Sequence, residues 1–182
     1  KSLKKTNISL IKPENLNKSD QKKLLQTFNE EIYPLLTPSA IDPAHPFPFI
    51  ANQGRALVMK LKKRNKKRVL NSIIVIPKAL PRFIEIQRGK NFMKYVIIDD
   101  VISFFASEIF PDHNLEKKML FRVIRDSDVE IQEEAEDLVR SFELALKRRR
   151  TGDIVRLEIL KNSNKELVKF IVNKLKVNQN YI

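Results

Sequence analysis

The chain has 182 residues, with 35 Lys or Arg against 22 Asp or Glu, a formal net charge of +13 and no cysteine. That length suits one domain able to bury roughly 70% of the surface of its unfolded chain. Disulfide and thiolate chemistry are excluded, and no apolar run reaches the ~20 residues of a membrane helix or resembles a signal peptide. The charge favours a polyanionic partner, whether nucleic acid, an anionic membrane or another phosphate polymer, unless it is inherited from a genome biased towards lysine, asparagine and isoleucine. Absence of cysteine suits a reducing cytoplasm, and a first residue Lys1 in place of methionine raises the expectation of an excised piece.

Residues 1–17 read as a polar lead-in. Ser19 or Asp20 is expected to cap a helix whose Leu24, Leu25, Phe28, Ile32, Leu35 and Leu36 keep helical spacing, disturbed at Pro34 and stopped at Thr37-Pro38. The stretch Glu31 to Arg55 then carries Pro34, Pro38, Pro43, Pro46 and Pro48. Each proline fixes φ and removes a backbone donor, so Asp42 to Phe49 is neither helix nor central strand. Its Ile41, Phe47, Phe49 and Ile50 are too apolar for a solvated linker, which predicts a stiff segment pinned against a core or a neighbouring domain.

Two hairpins follow. Residues 55–63 and 68–76 are β-rich runs around a basic tip, Arg64 to Lys67; residues 82–87 and 92–98 flank Arg88 to Asn91, with Gly89 as the permissive turn position. Asp99 or Asp100 is expected to open a short helix bearing Val101, Ile102, Phe105 and Ile109, ended by Pro111. Leu120 to Val129 is a predicted strand. Glu133 to Arg150 has the clearest helical register, acids first and bases last, with Gly152 just beyond. Residues 154–160 alternate as a strand, and Ser163 to Glu166 forms a capping box before a last helix bearing Leu167, Val168, Ile171 and Leu175. The fold class is α+β: a mainly antiparallel sheet from two hairpins plus a C-terminal strand-helix-strand-helix unit.

Chemistry is sparse. His45 lies in the rigid segment and His113 in the Pro-Asp-His-Asn loop, neither with a legible orienting partner or metal-ligand spacing. Asp126 and Asp128 share a strand face and could hold a hard cation, but Arg122 and Arg125 beside them favour ion pairing. Gly54, Gly89 and Gly152 form no phosphate loop. Two basic clusters remain: Lys60 to Arg68, which reads as a solvated hairpin tip or a polyanion contact, and Arg148-Arg149-Arg150, whose guanidinium groups suit either phosphate oxygens or the helix dipole.

Glu31 to Phe49 (EIYPLLTPSAIDPAHPFPF), Ile76 to Ile84 (IPKALPRFI), Phe121 to Asp128 (FRVIRDSD), Glu134 to Leu138 (EAEDL), Arg148 to Asp153 (RRRTGD) and Val155 to Glu158 (VRLE), in this order, resemble the head (middle) domain of bacterial polyphosphate kinase. The resemblance covers about residues 20 to 178. It implies a parent enzyme that reversibly moves the terminal phosphate of ATP onto polyphosphate through a phosphohistidine, with magnesium. It also places the reacting histidines and the magnesium and phosphate contacts in phospholipase D-like domains after the head domain, with a helical adenine-holding domain before it. No catalytic residue or metal ligand is therefore carried over to this chain, and His45 is not promoted to nucleophile. The basic Lys60 to Arg68 hairpin is not part of the family signature.

The resulting expectation is a lead-in over residues 1–17, a head domain over 18–178 and the start of a linker over 179–182, inactive alone. Its partners are the N-terminal and C-terminal catalytic domains of the same protein, a second copy in a homodimer, and polyphosphate. ATP and Mg2+ are cofactors of the full-length enzyme and not of this piece. Arg122, Arg125, Arg148, Arg149 and Arg150 are the expected polyphosphate-binding residues, by charge and position. A cytoplasmic location is expected, with association to a membrane surface left open. Two alternatives stand beside this reading: a freestanding basic domain binding nucleic acid, with steep salt dependence, and a self-contained hydrolase or transferase using His45 and nearby acids.

Overall fold

A computed structural model describes residues 7–42, 46–64, 69–89, 92–126 and 152–177. The pattern of β3 (Arg55–Lys63) organises them. Successive strand residues point to opposite faces, and here both faces are covered: Leu57, Met59 and Leu61 enter one hydrophobic core, Ala56 and Val58 another. Truncating a residue such as Leu57 to alanine should cost about 2–5 kcal/mol.

β3 pairs antiparallel with β4 (Val69–Ile76) on one side and with β7 (His113–Arg125) on the other. With β2 (Pro38–Ala40) and β8 (Ile154–Ile159) at the edges, the strands form a five-stranded sheet in the order β2-β4-β3-β7-β8. A three-stranded sheet, β1-β6-β5, joins β5 (Phe83–Gly89) and β6 (Phe92–Ile97) antiparallel and β1 (Ile8–Leu10) parallel to β6. Helices α1 (Lys18–Thr27), α2 (Ile98–Phe104) and α3 (Ala106–Ile109) feed the first core with this small sheet. Helix α4 (Lys165–Leu175) and the proline-rich segment feed the second. Both expected hairpins are present, and the fold is α+β with mainly antiparallel sheets.

The proline segment is held as its composition requires. Pro38 occupies the first position of an edge strand, where its missing donor costs nothing. Ile41 and Ile50 are buried and Phe47 packs against the second core; residues 43–45, His45 among them, lie outside the described residues. Upstream, a proline inside an α-helix clashes with the carbonyl four residues earlier. At Pro34 the chain resolves this by widening into a π turn over Phe28–Ile32 and tightening into a 3-10 turn over Tyr33–Leu35.

Several local expectations are corrected. Asn17, not Ser19 or Asp20, caps α1: its Oδ1 accepts from the Asp20 N–H at 2.8 Å while its Nδ2 donates to Asp20 Oδ2. Asn164, not Ser163, caps α4 by accepting from the N–H groups of Glu166 and Leu167. Neither Asp99 nor Asp100 caps α2, which starts at Ile98 without a side-chain cap. Gly89 closes β5 with no positive φ, and the Phe92 ring occupies the space a Cβ would take. The strand expected from Leu120 begins at His113 and ends at Arg125, so Asp126 falls beyond it and His113 is its first residue and not a loop residue. Residues 1–17 hold structure from β1 onward, with Pro13 and Leu16 buried. The helix expected over Glu133–Arg150 lies outside the described residues.

Candidate functional site

Of the five arginines expected to bind a polyanion, two are described and they face different surroundings. Arg122 shares a face of β7 with Leu120 and opens into a cavity of about 350 Å³ shared with Arg55, Arg82, Asp99 and Glu158. Its Nη1 meets Glu158 Oε2 at 3.5 Å, a loose pair on a side chain that is 39% exposed. Arg125 turns to the proline segment. Its Nε donates to the Ile50 carbonyl at 2.9 Å, its Nη1 to the Gly152 carbonyl at 2.8 Å, and its cationic carbon lies 4.8 Å from the Phe49 ring centroid. Burial pulls this guanidinium down from its ordinary pKa. Arg148, Arg149, Arg150 and Asp128 lie outside the described residues.

A second cavity of about 750 Å³ adjoins the first, with Arg82, Asp99, Leu120 and Leu160 in common. Together they form a groove between the end of the small sheet with α2 and the exposed flank of β7 and β8. Seven cationic side chains line it against three carboxylates among the described residues. The deepest carboxylate, Asp99, is held by Arg55 Nη1 through both oxygens at 2.8 and 2.9 Å. Burial pushes its carboxyl up from the ordinary aspartate value, against the pull of Arg55 and the more distant Arg82.

Two lysines also hold a helix to the large sheet. Lys60 and Lys117, side by side on β3 and β7, both grip Glu166 at the start of α4. Arg64 donates from its backbone to the Asp112 carbonyl; Asn65 to Arg68 lie outside the described residues. The His113 N–H donates to the Phe110 carbonyl and that of Asp126 to the Asp153 carbonyl, both stitching loops to the sheet. No group of three or more His, Asp or Glu among the described residues is placed to hold a metal ion, and none of the described helices is long and apolar enough to cross a membrane.

Sequence reasoning missed Arg55, Arg82, Lys118 and Lys161 as groove residues. Their signal is not local: they come from four segments that only the fold joins. The polyphosphate kinase middle domain, as a family description, matches residues 19–182. The chain belongs to this family. A polyphosphate kinase from Erythrobacter litoralis is 51% identical over 136 residues, which are 75% of this chain and 18% of that protein. One from Staphylococcus epidermidis is 36% identical over 186 residues, covering 100% of this chain and 25% of that protein. The crystal structure of polyphosphate kinase from Porphyromonas gingivalis shares the fold, with a TM-score of 0.75 at 21% identity over 99% of this chain and 25% of that one. The chain thus spans a quarter or less of these relatives. Within this polyphosphate kinase middle domain, three of the signature stretches meet at the groove: Ile76 to Ile84 supplies Arg82, Phe121 to Asp128 supplies Arg122, and Val155 to Glu158 supplies Glu158.

Proposed function

We propose that this middle domain, centred on residues 18–178, holds the flanking domains of a cytoplasmic polyphosphate kinase, contributes to a homodimer, and lines part of the polyphosphate path. Transfer of the ATP terminal phosphate, with magnesium, belongs to the domains on either side. The observation that carries the reading is coverage: the family's middle domain accounts for residues 19–182, while this chain makes up 18–25% of its relatives. A packing role is supported by an aromatic cluster that reaches the surface. Phe28 stacks on buried Phe105 at 4.8 Å, and their outer neighbours Tyr33 and Phe104 are 44% and 36% exposed; exposed aromatic surface of this kind suits a domain interface. Arg122 and Arg148 to Arg150 are the arginines proposed for phosphate contact, whereas Arg125 serves by fixing the proline segment.

The test is ATP- and magnesium-dependent polyphosphate synthesis by this chain, with polyphosphate titration and sedimentation on the same sample. Expected results are no synthesis, salt-sensitive binding weakened by changing Arg148 to Arg150 to alanine, and a dimer. Turnover by this chain alone would overturn the placement of the chemistry and make His45 and His113 the first residues to substitute. Binding of single-stranded nucleic acid with no preference for polyphosphate would favour a nucleic-acid-binding domain instead.

A further inference from the structure

We infer that the groove bounded by Arg82, Lys118, Arg122 and Lys161 is a binding site for a linear inorganic phosphate chain. The inference rests on the proposed polyphosphate path and names a location for it, on side chains outside the arginine run at 148–150.

The first support is charge that the fold leaves uncompensated. Two of the groove's carboxylates have close cationic partners: Asp99 is matched by Arg55, and Glu158 lies 3.5 Å from both Arg122 and Arg156. Lys117 is engaged with Glu166. The ammonium groups of Lys12, Lys118 and Lys161 make no hydrogen bond or ion pair among the described residues, and all three residues are exposed, as is Arg82. Asp100 is the carboxylate that opposes an anion here, and these four cations outnumber it. Lys118 and Arg122 stand on the same face of β7, with Leu120 between them, so their charges align along the groove.

The second support is shape and the nature of the walls. Two connected cavities of about 350 and 750 Å³ accept an extended ligand with several phosphates better than one compact ion. The apolar walls are aliphatic, Leu57, Leu120 and Leu160, and the one aromatic lining residue, Phe121, is 1% exposed. A single-stranded nucleic acid gains much of its affinity by stacking bases on exposed aromatic rings. This groove has cations without a stacking platform, which suits a polyanion that has charges and no bases.

The experiment titrates the whole chain with orthophosphate, tripolyphosphate, long-chain polyphosphate and poly-uridylate across a range of salt. Arg82→Gln combined with Lys118→Gln alters two exposed cations, and Lys22→Gln with Lys23→Gln on α1 is the charge-matched control. The expected result is affinity rising with chain length, a roughly tenfold loss for long-chain polyphosphate in the groove variant, a shallower salt dependence, and no change in the control. Equal losses in the control and the groove variant would mean diffuse attraction and overturn the site. Loss on changing Arg148 to Arg150 but not in the groove variant would overturn the groove and leave the polyphosphate path standing. No binding by the parent chain would overturn both, and poly-uridylate bound as tightly through the same residues would replace the phosphate chain with nucleic acid.

Discussion

Arg125 lies over Phe49, its cationic carbon 4.8 Å from the ring centroid, while the same guanidinium donates to the Ile50 and Gly152 carbonyls. One side chain therefore ties the end of β7 to the proline segment and to the approach to β8. Its own N–H donates to Asn52 Oδ1, which fixes the loop from the other side. Arg125→Lys keeps the charge but loses the planar fork, and should lower stability by about 1–2 kcal/mol; Arg125→Met should lower it by about 2–3 kcal/mol. Urea midpoints with unchanged slopes are the measurement. If Arg125→Met were as stable as the parent, the clamp would be energetically idle and the guanidinium free for a ligand.

Arg55 and Asp99 form the most buried ion pair among the described residues, their side chains 19% and 9% exposed. Removing one partner of such a pair strands the other, whereas replacing both with apolar groups is often neutral. Arg55→Met alone should cost about 3 kcal/mol, and Arg55→Met with Asp99→Leu should return to within about 1 kcal/mol of the parent. The pH dependence has a definite sign. Burial already holds the Asp99 carboxyl above its ordinary value, so its ionised form weighs against folding, and losing Arg55 pushes it further up. Arg55→Met should therefore recover stability as pH falls through the Asp99 titration. A double variant as unstable as the single one would show that packing, not charge, is at stake.

These two arginines also mark where sequence reading stops. Features with local causes were legible: alternation and turn residues gave both hairpins, Pro34 predicted a disturbed helix end, and Pro38 a stop. Charge in the sequence gave no indication of which partner each cation meets. Arg125 reads as a phosphate ligand because the Ile50 carbonyl that receives it is 75 residues away. Asp99 reads as a helix cap because its partner stands 44 residues upstream. The first half of β7 escaped because His113 to Lys118 offers only Leu115 as an apolar residue; its strand state comes from pairing with β3 across a bulge at Lys60 and Leu61. The groove was invisible for the same reason, its cations being scattered singly.

The two candidate caps of α4 separate cleanly by mutation. Asn164 Oδ1 accepts from two otherwise unpartnered N–H groups, whereas Ser163 Oγ donates to the Leu160 carbonyl in the preceding turn. Asn164→Ala should cost about 1 kcal/mol and Ser163→Ala less than about 0.5 kcal/mol. Chemical denaturation of both variants decides it. The reverse order would restore Ser163 as the cap.

Glu166 supplies the acid sensitivity of the second core. Lys60 and Lys117 are direct cross-strand neighbours, so their like charges repel unless an anion lies between them. Glu166, one residue into α4, reaches both, at 2.5 Å from Lys60 and 2.8 Å from Lys117, and thereby fastens the helix to the sheet. Hydrogen bonds from Lys117 and then Lys60 lower its pKa from 4.5 to about 2. A carboxylate whose folded pKa is depressed contributes stability that is complete above its unfolded pKa and is lost as pH falls towards the folded one. The stability difference between parent and Glu166→Gln should thus be constant above about pH 5, shrink between pH 4.5 and 2, and narrow at neutral pH when salt is raised to about 1 M. Urea midpoints across that range test it. A difference that persists unchanged down to pH 2 would mean that the glutamine fails for reasons of hydrogen-bond geometry, and that the carboxylate charge is not what holds α4 to the sheet.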